Sequence, residues 1–300
     1  MILTLLLSAL AIVTCAFTVV LGRAALARRV GMPATEALAL GAVSNFFDTL
    51  GIGSFAPTMA WMKFRSMIPD RIIPSTMLAG YTLPTMAQAA IFLVLLGVSV
   101  EPWLLLGSVV AFVPGALFGA SLAAKAPVRL VQAMVGIALL IAAWFYVVSN
   151  MHWMPEGGTA SGLDGWAFWI AIGSSFLFAV LLNFGVGHYA PTLAMLSLLG
   201  LDPRLAFPIM ASTGAFGAAA AAAKVVRRPD IDVGLVVGLT LGAIPAVLIA
   251  AFVVKEMPVE TMRWFVVAII VYAAAVLLRQ ATRLATELRP LEPLAEGLID

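Results

Sequence analysis

Charge is what this chain lacks most. Asp, Glu, Lys and Arg make up 11% of its 300 residues, against roughly 25% in a soluble domain. A water-soluble globule is therefore excluded, because too few polar side chains exist to cover its surface. The net charge of +2 excludes an electrostatic nucleic-acid binder, which needs a basic stripe or patch. One cysteine, Cys15, excludes an intramolecular disulfide and a cysteine-rich metal centre. The two histidines, His152 and His188, stand too far apart for a local ligand pair, so neither metal nor cofactor is expected.

What fills the chain instead is apolar: 63% of residues are hydrophobic and the mean hydropathy is +1.08. Runs long enough to cross a bilayer, about 17–25 residues, cover 75–98, 103–124, 128–149, 205–224, 233–254 and 259–278. The first run, 1–21, has no basic segment before it and exceeds the roughly 7–15 apolar residues of a signal peptide. With Arg23, Arg28 and Arg29 behind it, it reads as a retained helix whose N-terminus is outside. Trp103, Trp153, Trp166 and Trp169 mark expected outer boundaries.

Two apolar regions, 35–62 and 166–199, are interrupted. Gly51-Ile52-Gly53-Ser54-Phe55-Ala56-Pro57-Thr58 in the first reappears as Gly185-Val186-Gly187-His188-Tyr189-Ala190-Pro191-Thr192 in the second. Pro57 and Pro191, Pro74 and Pro208, and Gly80 and Gly214 all lie 134 apart. Gly107 and Gly238, Pro114 and Pro245, and Pro127 and Pro258 lie 131 apart. Matched punctuation of this kind marks an internal repeat.

Basic residues set the orientation. Arg23, Arg28 and Arg29 precede the first interrupted region and Lys63, Arg65 and Arg71 follow it, so it enters and returns on the cytoplasmic side. The loop 150–165 carries Glu156 and Asp164 and no Lys or Arg, as an external loop should. The fold expected is an all-α polytopic membrane protein of two inverted-topology repeats. Each repeat is a broken, re-entrant helical hairpin plus three transmembrane helices, and one extra helix stands at the N-terminus. The divisions are an N-terminal helix and basic cytoplasmic loop (1–33), repeat one (34–149), an external linker (150–165), repeat two (166–279) and a cytoplasmic tail (280–300).

Broken backbone inside a membrane survives where it is buried in protein or lines a cavity, and paired breaks in two halves point to a transport site. Each return helix starts near mid-membrane with free N–H groups and a positive dipole end. Two such ends converging attract an anion without a buried Lys or Arg. The donors expected around it are Gly53, Ser54, Thr58, Asn183, Gly187, His188, Tyr189 and Thr192, with Thr76 and Thr213 from the helices that follow. Thr82, Ser212 and Gln88 are lesser candidates. Asp48, an acid inside an apolar run, suits proton coupling, and Asn45 shares its helical face. The alternative for Asp48 is a capping role at the break. A small anion and the bilayer are the expected partners, nucleic acid is not, and a homo-oligomer is left open.

The segments NFFDTLGIGSFAP (45–57) and NFGVGHYAP (183–191), in two halves of this length, resemble the TauE/SafE family of sulfite and organosulfonate exporters. The resemblance spans nearly everything after the first helix. It implies a multi-pass anion permease of bacterial type in the cytoplasmic (inner) membrane, and leaves sulfite, sulfoacetate, other sulfonates and carboxylates open. Ile52 and Ser54 depart from the more glycine-rich first break of that family. Three other readings compete with a carrier: a passive anion channel, a scaffolding membrane subunit, and an intramembrane serine hydrolase using Ser54 and His188.

Overall fold

The computed structural model describes residues 2–51, 53–69, 72–96, 99–123, 128–151, 158–182 and 188–288. Among them eleven helices follow one another: α1 (Ile2–Ala27), α2 (Thr35–Thr49), α3 (Phe55–Phe64), α4 (Ile73–Leu95), α5 (Pro102–Ala123), α6 (Val128–Asn150), α7 (Gly165–Leu182), α8 (Tyr189–Leu198), α9 (Pro203–Val226), α10 (Val233–Glu256) and α11 (Val259–Leu288). The described residues hold no strand beyond one isolated bridge, Ala160 to Leu201. Helix α11 continues across the boundary expected at 279.

Among the described residues six helices are long and apolar enough to cross a membrane: α1, α4, α5, α7, α10 and α11. Helix α9, also expected to cross, forms over 24 residues and is less apolar. Its position explains why: residues 205–215 are all buried among other helices, so protein rather than lipid surrounds its Ser212 and Thr213. Large apolar side chains cover the outside. Leu5, Ile12, Val19 and Leu26 form an exposed stripe along α1, as lipid contact requires.

Local chemistry starts and stops these helices. Asp202 caps α9 through the Arg204 N–H, with Pro203 as its first residue. Asp232 caps α10 through the Leu235 N–H. Glu101, ahead of Pro102, accepts from the N–H groups of Trp103 and Leu104 at the head of α5. Inside α4, Pro84 cannot donate to the carbonyl of Gly80. Thr240 of α10 supplies the missing donor at 2.8 Å, which satisfies that group where no water reaches.

The helices pair chiefly as α2 with α10, α5 with α7, α4 with α9 and α6 with α11. Glycines bring backbones together. A Cβ on Gly41 would strike the Leu239 backbone, one on Gly242 the carbonyl of Leu38, and one on Gly115 the carbonyl of Phe176. Small residues at such contacts are the membrane substitute for a hydrophobic drive to pack.

Both interrupted regions turn back on themselves. Glu36, at the head of α2, binds Trp61 Nε1 at 3.0 Å and Arg65 Nε at 2.8 Å, at the foot of α3. Helices α2 and α3 are therefore antiparallel, and the chain returns to the end from which it came. Similarly, Ala160, ahead of α7, exchanges bonds with the segment after α8: Ala160 N donates to Gly200 O at 3.1 Å, and Asp202 N donates to Ala160 O at 2.9 Å.

The bundle has two polar ends. At one, Arg28 donates to the carbonyls of Val226, Arg228 and Ile231, and Arg228 donates to Ser75 at the head of α4. At the other, Glu101 N donates to Ser161 O at 2.9 Å, beside the Ala160–Asp202 exchange. Helix α4 starts at the first end and α9 at the second, so they run antiparallel. The expected boundary tryptophans Trp103, Trp166 and Trp169 stand exposed at the second end.

Candidate functional site

The turn from α2 to α3 rests on two glycines in the left-handed region, Gly51 at φ 93° and Gly53 at φ 87°. Asp48, in the last turn of α2, accepts the Ser54 N–H on Oδ1 at 2.7 Å. Ser54 occupies the N-cap position of α3 without a capping bond from its side chain. The carboxylate of Asp48 serves the turn, the capping role given above as its alternative. Pro57 stands in the first turn of α3, as expected.

Behind this turn lies a closed polar network. The Thr58 hydroxyl donates to Ser44 Oγ at 2.8 Å and accepts from the Tyr81 hydroxyl at 2.7 Å. All three residues are buried. The network ties α2 and α3 to each other and to α4. Asn45 bonds back to the carbonyl of Gly41 at 3.1 Å, so its amide serves its own helix.

In the second hairpin Asn183, Gly185 and Gly187 lie outside the described residues. His188 holds the N-cap position of α8, again with no capping bond from its side chain, and Pro191 follows in the first turn. The Nε2–H of His188 donates to the carbonyl of Met210 at 3.2 Å. Its ring lies 4.9 Å from that of Phe112 and 4.6 Å, edge-on, from that of Tyr189. Tyr189 donates to Gln88 Oε1 at 2.9 Å. The matched glycine Gly214 finds its reason here: a Cβ on it would stand 3.1 Å from the imidazole.

The two tips meet in the core. A Cβ on Gly51 would lie 3.7 Å from Leu193 of α8, 3.7 Å from Phe207 of α9 and 3.2 Å from Ile269 of α11. Around the tips Ser54, Thr58, His188, Tyr189 and Thr192 are all buried. Gly53 faces open space, with nothing within 4 Å of a Cβ built there. The N–H groups of Phe55 and Ala56, and of Tyr189 and Ala190, have no acceptor among the described residues; at each third position the chain places a proline with no N–H.

Other expected donors fare differently. Thr213 bonds back to the carbonyls of Ile209 and Met210 at 2.9 Å each, and Thr82 to that of Leu78 at 2.6 Å. The Thr76 hydroxyl is buried without a partner, yet Thr76 precedes Gln88 by 12 residues on α4, about 18 Å along the axis. The structure does not bring it to His188. Among the described residues no hydrogen bond joins Ser54 to His188, whose Nε2–H is given to Met210. Asn183 and Gly187 lie outside the described residues.

Sequence reasoning missed Ser44, Tyr81 and Ser108, and undervalued Gln88. Ser44 precedes Asp48 by four residues, one helical turn, and that spacing was readable. Tyr81 and Ser108 sit in plain apolar runs that carry no cue. Two cavities also lie apart from the tips. One, of about 760 Å³, is an apolar groove between α1, α4 and α10 that includes Cys15, Met86 and Thr240. The other, of about 450 Å³, lies among the loops near Arg28, Met67 and Asp232. Among the described residues no group of three or more His, Cys, Asp or Glu is placed to hold a metal.

The class these features define is a polytopic α-helical membrane protein. No family model, no curated protein and no solved structure matches the chain.

Proposed function

We propose that this protein is a secondary transporter that moves a small oxyanion, such as sulfite, a sulfonate or a carboxylate, across the inner membrane by alternating access. The resemblance of 45–57 and 183–191 to TauE/SafE exporters belongs to this reading. So does an architecture of two inverted-topology repeats, with the N-terminus outside and the C-terminus cytoplasmic. The end that gathers Arg28, Arg65 and Arg228 is then the cytoplasmic one. The antiparallel course of α4 and α9, each the first helix after a hairpin, supports inversion.

One observation carries the proposal: the turn that leads into α3 packs on Leu193 of α8, and both helices start with N–H groups that have no acceptor among the described residues. Oriented N–H groups at a helix start favour an anion, and interrupted helices meeting at a repeat interface are where carriers bind substrate. Burial of the tip residues favours a carrier over an open channel. Asp48 stands at the same centre. Its carboxylate holds the Ser54 N–H at the head of α3, so a proton taken up there would admit an anion more easily. This makes Asp48 the proposed coupling residue.

The test is uptake of a labelled sulfonate into proteoliposomes containing only this chain, with sulfite, carboxylates and sulfate as competitors. Saturable uptake, competed by oxyanions and accelerated by substrate on the far side, is expected. Oxyanion flux that neither saturates nor shows counterflow would mean a channel, and no flux of any oxyanion would end the transport reading.

A further inference from the structure

The groove between α1, α4 and α10 is lined for hydrocarbon. It holds about 760 Å³ and opens outward, since Cys15, Thr18 and Leu241 on its walls are exposed. Three threonines line it, and none has a hydroxyl proton to spare. Thr14 donates to Leu10 O, Thr18 to Thr14 O and Thr240 to Gly80 O. An anion there would find no donor, whereas an acyl chain needs none. Along α1 the groove runs from Leu7 to Ala25, about 27 Å, close to the roughly 30 Å of a bilayer's hydrocarbon core.

Helix periodicity sets this groove end to end with the polar cavity of about 450 Å³. Ala25 of α1 lines the first, and Arg28, one turn on, lines the second. On α10, Val237 lines the first and Val233, four residues earlier, the second. The polar cavity carries one charge of each sign. Arg28 gives three of its five N–H groups to the carbonyls of Val226, Arg228 and Ile231, and it pairs with no acid among the described residues. Asp232 caps α10 with Oδ1, and its Oδ2 has no partner among them.

We propose that the two cavities together hold one phosphoethanolamine lipid, with its phosphate at Arg28, its ammonium at Asp232 and its chains in the groove along α1 and α10. Charge complementarity selects that headgroup. A phosphate accepts from the two N–H groups left on Arg28, and a primary ammonium donates to the free carboxylate oxygen. A phosphatidylglycerol head sets nothing positive against Asp232, and a choline head has the charge but no N–H to donate. The site lies apart from the hairpin tips, so it stands whether or not the protein carries an anion.

The experiment is native mass spectrometry of the full chain in detergent, titrated with dioleoyl phosphatidylethanolamine, phosphatidylglycerol or phosphatidylcholine. One phosphatidylethanolamine per chain is expected, bound about tenfold more tightly than the other two, as fits one charge-assisted hydrogen bond. Soluble phosphoethanolamine, a head without chains, should not displace it at equal concentration. Gly22→Phe fills the groove from a position where a Cβ meets nothing within 4 Å. It should keep the thermal midpoint and weaken the lipid about tenfold. Asp232→Asn keeps an amide oxygen for the Leu235 N–H and should abolish the preference for ethanolamine over choline. Arg23→Gln removes a charge from the far face of α1, two residues before Ala25, and should leave binding as in the parent. Equal binding of the three lipids, tighter binding of phosphatidylglycerol, displacement by phosphoethanolamine, or parental binding by Gly22→Phe or Asp232→Asn would overturn the site. So would a dimer that carries no lipid.

Discussion

The two hairpins share a plan and differ in where their polar groups are committed. The first keeps its bonds close to home: Asp48 to Ser54, Thr58 to Ser44 and Tyr81, Glu36 to Trp61 and Arg65. The second gives its polar groups to helices from both halves, His188 to α9 and Tyr189 to α4, with unpaired donors nearby. A carboxylate already stands at the N-terminal end of α3, where an anion is favoured. The start of α8 receives no side-chain cap among the described residues. The difference teaches that matched motifs need not carry matched duties. Under the transport reading, the first hairpin is a braced post with a titratable group, and the second is the face that meets the substrate.

The largest effect should come from the packing of the first helix in each hairpin. Gly41→Leu in α2 would drive a side chain into the Leu239 backbone, whereas Gly173→Leu in α7 meets nothing within 4 Å of its Cβ. Size-exclusion profiles of the expressed variants should show Gly41→Leu lost to aggregation and Gly173→Leu unchanged. If the two behaved alike, the described α2–α10 contact would be wrong.

Next in size is the matched threonine pair. Thr58→Val breaks a buried network and should cost about 1–3 kcal/mol of stability, read as a lower thermal midpoint. Thr192 makes no side-chain bond among the described residues, so Thr192→Val should keep the midpoint and weaken oxyanion uptake. A reversal of these two phenotypes would exchange the duties assigned to the hairpins.

Asp48→Asn should act on coupling rather than folding. The amide oxygen of Asn can still accept the Ser54 N–H, so the protein folds, while the dependence of uptake on the proton gradient falls away. Retained dependence would clear Asp48. The smallest effect belongs to the exposed foot of the first hairpin: Glu36→Gln weakens a pair with Arg65 whose partners are 35% and 52% exposed. Such pairs contribute about 0–1 kcal/mol, so a shift in thermal midpoint near the limit of detection is expected.

Much of this was legible before any coordinates. The glycine breaks announced the left-handed turn at Gly51 and Gly53, and Pro57 and Pro191 the first turns of α3 and α8. Charge spacing placed Arg28 and Arg65 at one end, where the structure ties Arg28 into the α9–α10 loop. What stayed hidden was which polar groups are already partnered. Tyr189 finds Gln88 across 101 positions and His188 finds Met210 across 22. Periodicity reveals the face on which a residue sits, but not the neighbour opposite. Ser54 and Asp48 show the same limit at short range: six residues apart, either side chain suited the cap, and turn geometry chose the acid.

The account stands on one site reached from both membrane faces between the hairpin tips. Its most direct test replaces the lone Cys15 by Ser and introduces Ser54→Cys or His188→Cys, one at a time. Each protein is then labelled from either side of the membrane with an impermeant thiol reagent, with and without methanesulfonate. The account predicts that both positions react, that their accessible side changes with the direction of the imposed substrate gradient, and that methanesulfonate slows both reactions. Labelling at both positions that ignores the gradient and every oxyanion tested would contradict it.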